Sequence, residues 1–155
     1  MDLNKKKTYY IKIVLLSFFV CFLILSFFDS HKQLPYSKLI IHDLEIPVEV
    51  ADTAETRRMG LSYRESLDKD SGMLFDMKKR AESSFWMKDM NFALDIVWID
   101  GEKIVNISKN LPPEGNQPDM HYSSEFPIDY VLEVNDGFCE KNNINIGDNI
   151  IFHIR

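Results

Sequence analysis

The run Leu94–Ile99 (LDIVWI) constrains this chain more than any other segment. Leu94, Ile96 and Trp98 would share one face of a strand, and Asp95, Val97 and Ile99 the other. Both faces are apolar, so the strand must be covered on both sides. Asp95 then goes inside with it, and a buried carboxylate must be paired or hydrogen-bonded. Asp100-Gly101 follows immediately and predicts a hairpin joining this strand to Lys103–Ser108.

The rest of the chain repeats the theme of short strands. Leu39 to Ala51 reads as extended, with Leu44, Ile46, Val48 and Val50 alternating with Glu45, Pro47 and Glu49. Pro47 marks an edge strand or a bulge. Gly72–Asp76, Ser84–Met87, Tyr130–Val134 and Asn149–Ile154 read as further strands. Asp52-Thr53-Ala54-Glu55 has the pattern of a capping box opening a short helix that stops at Gly60. Gly137 to Asn143 predicts one or two helical turns. Between Asn110 and Pro127 lies a long irregular loop carrying Pro112, Pro113, Pro118 and Pro127. The expected fold class is α+β, mostly β: a small barrel-like sheet domain with one or two short helices, occupying residues 39–155.

Upstream, Lys5, Lys6, Lys7 and Lys12 lead into an apolar run from Ile13 to Phe28. A basic flank before an apolar helix enters a membrane with the basic end inside. The exit reads Leu25-Ser26-Phe27-Phe28-Asp29-Ser30, without small residues at alternate positions. Residues 1–12 are therefore read as a cytoplasmic tail, 13–28 as an uncleaved single-pass transmembrane anchor rather than a cleaved signal, and 29–38 as a linker. This places the domain on the extracytoplasmic side of the cell membrane, with the membrane itself as partner through residues 13–28.

Residues 1–33 carry five lysines against two acidic residues, so the remainder holds −9 of a whole-chain charge of −6. A domain that acidic argues against nucleic acid as a partner. Cys139 is the lone cysteine beyond the anchor. It cannot make an internal disulfide, and it reads as a small buried hydrophobe rather than a nucleophile.

VEVADTAETRRMGL, GMLF, FWMKDM, LDIVWID, YVLEV and GDNI follow one another from about Val48 to Phe152. In order and spacing they resemble the family called domain of unknown function 192. The resemblance implies a small β-rich, barrel-like fold in proteins that are commonly exported or membrane-anchored, and it implies no established activity. This chain departs from the family pattern in two places. Ser62 follows Gly60-Leu61 where the family usually has Met, and Asp89-Met90 follows Lys88 where it usually has Asn-Thr.

Strand alternation singles out the polar residues. Lys88, Asp95 and Glu133 are expected to meet in or near one pocket walled by Phe85 and Trp86. Met87 and the 110–127 loop, with His121 and Tyr122, would complete the cleft. A structural ion pair, or a carboxylate capping backbone amides at a barrel rim, is the alternative. The leading expectation is an extracytoplasmic module that binds a small ligand or a partner. A small hydrolase using Lys88, Asp95 and Glu133, or His121 with Ser123, Ser124 and Glu125, is a second possibility. No Gly-x-Ser-x-Gly elbow, zinc-type His spacing or phosphate-binding glycine loop is present, and no cofactor is indicated. Met90, Met120 and His121 could together hold Cu(I), although gap-filling in an apolar core is the more ordinary use of methionine.

Overall fold

The computed structural model describes residues 37–154. The expected tail, anchor and most of the linker lie outside the described residues. Among the described residues no helix is long and apolar enough to cross a membrane.

Among the described residues, nine strands and two short helices follow one another. They are β1 (Ser37–Ile41), β2 (Leu44–Ala51), α1 (Ala54–Met59), β3 (Gly72–Ala81), β4 (Ser84–Phe85), β5 (Leu94–Asp100), β6 (Lys103–Leu111), β7 (Tyr122–Ser123), β8 (Ile128–Asn135), α2 (Phe138–Lys141) and β9 (Ile150–His153). Seven strands form one sheet in the order β6-β5-β8-β3-β2-β1-β9, and β4 pairs with β7. Neighbours in the large sheet are antiparallel except β2 and β3. The sheet curls into a half-barrel whose two edges meet at one end. There Lys103 bridges Asn149, Ile104 N–H donates to the Asp148 carbonyl at 3.0 Å, and Ile150 N–H donates to the Glu102 carbonyl at 2.8 Å.

The curl divides the apolar residues into two cores. The inner one draws on all seven strands, from Leu39 and Ile46 through Leu74, Val97, Ile104 and Leu132 to Ile150, with Phe138 and Cys139 of α2 packed against it. The outer one lies on the opposite face of β3, β5 and β8. It joins Met73, Phe75, Ile96, Trp98 and Val131 to Leu61, Leu67, Met87 and Met90 from the covering loops. Strand β5 is buried from Leu94 to Ile99, as its two apolar faces require. Val97 and Ile99 face inward, and Leu94, Ile96 and Trp98 outward. The Trp98 indole N–H donates to Ser108 Oγ at 3.0 Å, which satisfies its buried polar atom.

Three local expectations are corrected. The hairpin loop is Gly101-Glu102, because Asp100 still pairs with Lys103. Gly101 takes φ 59° at the first loop position, and Asp100 is held in the strand by a two-pronged pair with Arg80 at 2.6 and 2.7 Å. The helix cap lies one residue later than Asp52. Thr53 Oγ1 accepts from the Thr56 N–H at 3.1 Å, while Thr56 Oγ1 accepts from the Thr53 N–H at 3.0 Å. A hydroxyl at each end makes the same reciprocal bonds as the expected Asp and Glu. Pro47 sits in an interior strand, not at an edge. Strand β2 pairs with β3 only from Val48 onward, so Pro47, with β1 as its paired neighbour, needs no second donor.

Strand β3 approaches β8 closely at Gly72. A Cβ there would stand 2.8 Å from the Glu133 carbonyl oxygen and 2.8 Å from Leu132 Cδ1. Gly72→Ala should therefore push the two strands apart and cost roughly 1–3 kcal/mol. A denaturation midpoint unchanged by the substitution would show that the strands can yield.

Candidate functional site

Glu133 is the centre of the outer face. Register places it in one row with Glu49 of β2, Met73 of β3 and Ile96 of β5. Its immediate cross-strand neighbours are thus Met73 and Ile96, neither of which carries a side-chain N–H or O–H donor. The residue is 6% exposed, and Oε2 has no hydrogen-bond partner among the described residues. Burial pushes its carboxyl up to about 8, opposed only by the nearby Arg64 guanidinium. The carboxyl is therefore neutral at neutral pH.

The loop after α1 covers this row. Gly60 ends the helix at φ 51°, and a Cβ there would lie 3.2 Å from Phe75 Cζ and 4.0 Å from Glu133 Oε2. Arg64 closes the rim by gripping Glu49 with two N–H groups at 2.5 and 2.7 Å. That grip holds the Glu49 carboxyl below the usual range. On the far side of the cover, Asn135 donates to the Leu67 and Asp68 carbonyls at 3.2 and 3.1 Å.

Three loops are tied together above the site. Ser62 Oγ donates to the Lys88 carbonyl at 3.0 Å, and Tyr63 N–H to the Asp89 carbonyl at 2.8 Å. Asp89 N–H donates to the Gly115 carbonyl at 2.7 Å, and Glu114 N–H to the Met87 carbonyl at 3.2 Å. Tyr63 (φ 65°) and Asp89 (φ 55°) both adopt left-handed backbone, which costs non-glycine residues free energy, and their side chains meet at 2.6 Å. The Asp89 carboxylate raises the Tyr63 hydroxyl, chiefly through that hydrogen bond. Ser62 and Asp89, where the chain departs from the pattern of the family it resembles, are both stitches in this seam. Glu114 contributes a second orphaned buried oxygen, Oε2, while its Oε1 accepts from Tyr122 Oη at 3.0 Å. Burial and then Glu114 raise the Tyr122 hydroxyl.

The expected cluster of Lys88, Asp95 and Glu133 does not form. Asp95 pairs with Val134 and Glu133 with Ile96, so the two carboxylates project from opposite faces of the sheet. Asp95 belongs to the inner core, where Oδ1 accepts from Asn110 N–H at 2.9 Å and Oδ2 from Cys139 N–H at 3.0 Å. This is the amide-capping role, at the first turn of α2. Lys88 holds its ammonium 5.8 Å from the Trp86 ring centre, and the cation facing Glu133 is Arg64. Phe85 is in the outer core, edge-on to Phe75 and Trp98 at 5.0 and 5.6 Å. Trp86, by contrast, is half exposed and lies 5.8 Å from the His121 ring.

Met87 and Met90 are buried in the outer core, whereas Met120 is 55% exposed. The structure thus gives Met90 a packing role apart from Met120 and His121. Ser124 Oγ is taken up locally, donating to the Phe126 carbonyl at 2.6 Å and accepting from Ser83 N–H at 3.1 Å. Cys139 is fully buried and its thiol is pushed up to about 12, mainly by burial and then by Asp95. It should resist a thiol reagent in the native protein and react fully once unfolded. Native labelling at the unfolded rate would contradict the burial.

Sequence reasoning did not single out Glu49, Gly60, Arg64, Tyr63, Asp89 or Glu114 as site residues. Only the Gly60-Leu61 and Lys88-Asp89 motif positions pointed toward this seam. Glu49 looked like an ordinary wet-face residue, and its row emerges only from the pairing of four strands.

A family model for DUF192, described as "Uncharacterized ACR, COG1430", matches residues 38–152. Among solved structures, a proposed transcription regulator from Sinorhizobium meliloti 1021 is similar, with a TM-score of 0.68 and 29% identity over 77% of this chain and 97% of that one. A protein of unknown function from Novosphingobium aromaticivorans is similar at a TM-score of 0.66 and 25% identity, covering 75% of this chain and 83% of that one. No curated protein matches the chain.

Proposed function

We propose, for a chain that belongs to the DUF192 family, a membrane-anchored extracytoplasmic module that binds a small ligand at Glu133. The anchor rests on the basic-then-apolar N-terminus. The binding reading rests on one observation above the others: a buried carboxyl with an unpartnered oxygen, set between apolar neighbours. Buried polar atoms are nearly always paired, and an orphan calls for a ligand, an ion or a functional role. Two left-handed residues locked together in the covering seam support the same reading, because backbone strain concentrates at binding sites. The Sinorhizobium relative's regulator label would need a face for nucleic acid or for an effector, and the acidity of this domain argues against the first.

A thermal-shift screen of the full-length chain against metals, amino acids, amines, sugars and small carboxylic acids tests the site. A ligand that binds the folded state raises the midpoint by mass action. The reading expects a saturable hit that weakens in Glu133→Gln. Hits indifferent to that substitution would move the site elsewhere. The anchor is tested separately, by whether the chain sediments with membranes and is cleaved by protease added from outside.

A further inference from the structure

Among the described residues, two buried side-chain oxygens lack partners, Glu133 Oε2 and Glu114 Oε2, both on acidic groups. Once ionised, each is purely an acceptor, which ligand N–H groups would satisfy, whereas a carboxylate or phosphate would bring more acceptors and a second negative charge. At Glu133 the protein supplies no such donor from its own row. Met73 and Ile96 flank it on the sheet, and Phe75 and Gly60 lie beside it. The charged groups facing it are Arg64 from the covering loop and, at the end of the row on β2, Glu49. Strands β3 and β5 contribute none from that row.

The rim already holds a planar cation, because Glu49 grips Arg64 through two N–H contacts, one to each carboxylate oxygen. Gly60 matters as well. A side chain there would press on Phe75 and stand beside Oε2, so glycine is the residue that adds least cover to the carboxyl from this loop. An apolar, water-poor surround strengthens a cation–carboxylate contact once it forms.

Resting on the binding reading above, we infer that Glu133 recognises an organic cation, an alkylammonium or guanidinium group, entering beneath the Gly60–Arg64 loop beside Glu49. The carboxyl is neutral at rest, and a bound cation favours its ionised form. Binding near neutral pH therefore releases a proton from Glu133 to solvent.

Calorimetric titration of the full-length chain and of Glu133→Gln with agmatine, repeated in two buffers of different ionisation enthalpy, tests this. Propionate serves as the opposite-charge probe. The expected result is saturable agmatine binding with release of about one proton per ligand at pH 7. Glu133→Gln should lose about tenfold or more in affinity, together with the proton release, because a charge-assisted contact becomes neutral. The variant is nearly isosteric, and circular dichroism confirms that it is folded. If propionate binds the wild type and not the variant while agmatine does not bind, the ligand class is wrong and the site stands. If neither probe distinguishes the two proteins, both the class and the Glu133 site fall.

Discussion

Between about pH 5 and pH 8, the stability of the wild-type chain falls relative to Glu133→Gln by roughly 3–5 kcal/mol, at about 1.4 kcal/mol per pH unit. The sign follows from proton counting. The folded state keeps the Glu133 proton up to about 8, and the unfolded carboxyl loses it near 4.5. In that window the folded state binds more protons, so rising pH favours unfolding. Below it both states are protonated, and above it both are ionised, so the difference is flat on either side. Glutamine keeps the volume and never titrates, which isolates this one group. Denaturant midpoints for the two proteins across the pH range give the comparison directly. Parallel curves would mean that Glu133 is solvated or paired in solution. A cationic ligand should also flatten the wild-type curve, because it favours the ionised carboxyl that high pH produces.

Replacing Asp95 acts on the opposite face and in the opposite sense. Asp95→Ala should cost roughly 3–5 kcal/mol, since two backbone amides, one of them buried, lose their acceptor and a cavity opens in the inner core. Those amides are Asn110, at φ 56° where the β5–β6 pairing shifts register, and Cys139, in the first turn of α2. Asp95→Asn keeps one acceptor oxygen and should fall between the two. Hydrogen exchange gives a second readout, with the Asn110 and Cys139 amides losing protection first. A change below about 1 kcal/mol would show that water replaces the carboxylate without penalty. The two substitutions thus separate a carboxylate that the fold uses from one that it leaves unsatisfied.

The contrast also marks what could be read in advance. Leu94–Ile99 announced its own double burial, because six consecutive residues left no wet face, and a buried Asp95 then required donors. The hairpin after it was legible from a glycine beside a turn-forming residue, although the loop proved to start at Gly101. Thr53 displaced Asp52 as the cap because several short polar side chains in a row can each supply the same acceptor. Asp95 was correctly expected inside, but Asp95 and Glu133 were wrongly expected together.

That error has a geometric cause. Side-chain direction reverses with every residue along a strand, so the face a residue takes relative to another strand depends on register. Asp95 stands opposite Val134 and Glu133 opposite Ile96, and this one-residue offset sends the two carboxylates into different cores. Local pattern therefore settled which segments would be strands, that β5 would be covered on both sides, and that the polar residues within it needed partners. It could not settle who those partners are, because they come from residues 15 and 44 positions away, in β6 and α2. The same holds for the Glu49–Met73–Glu133–Ile96 row and its Arg64 cover. That row exists only once four strands and a loop have come together, since long-range pairing and not local preference sets their register.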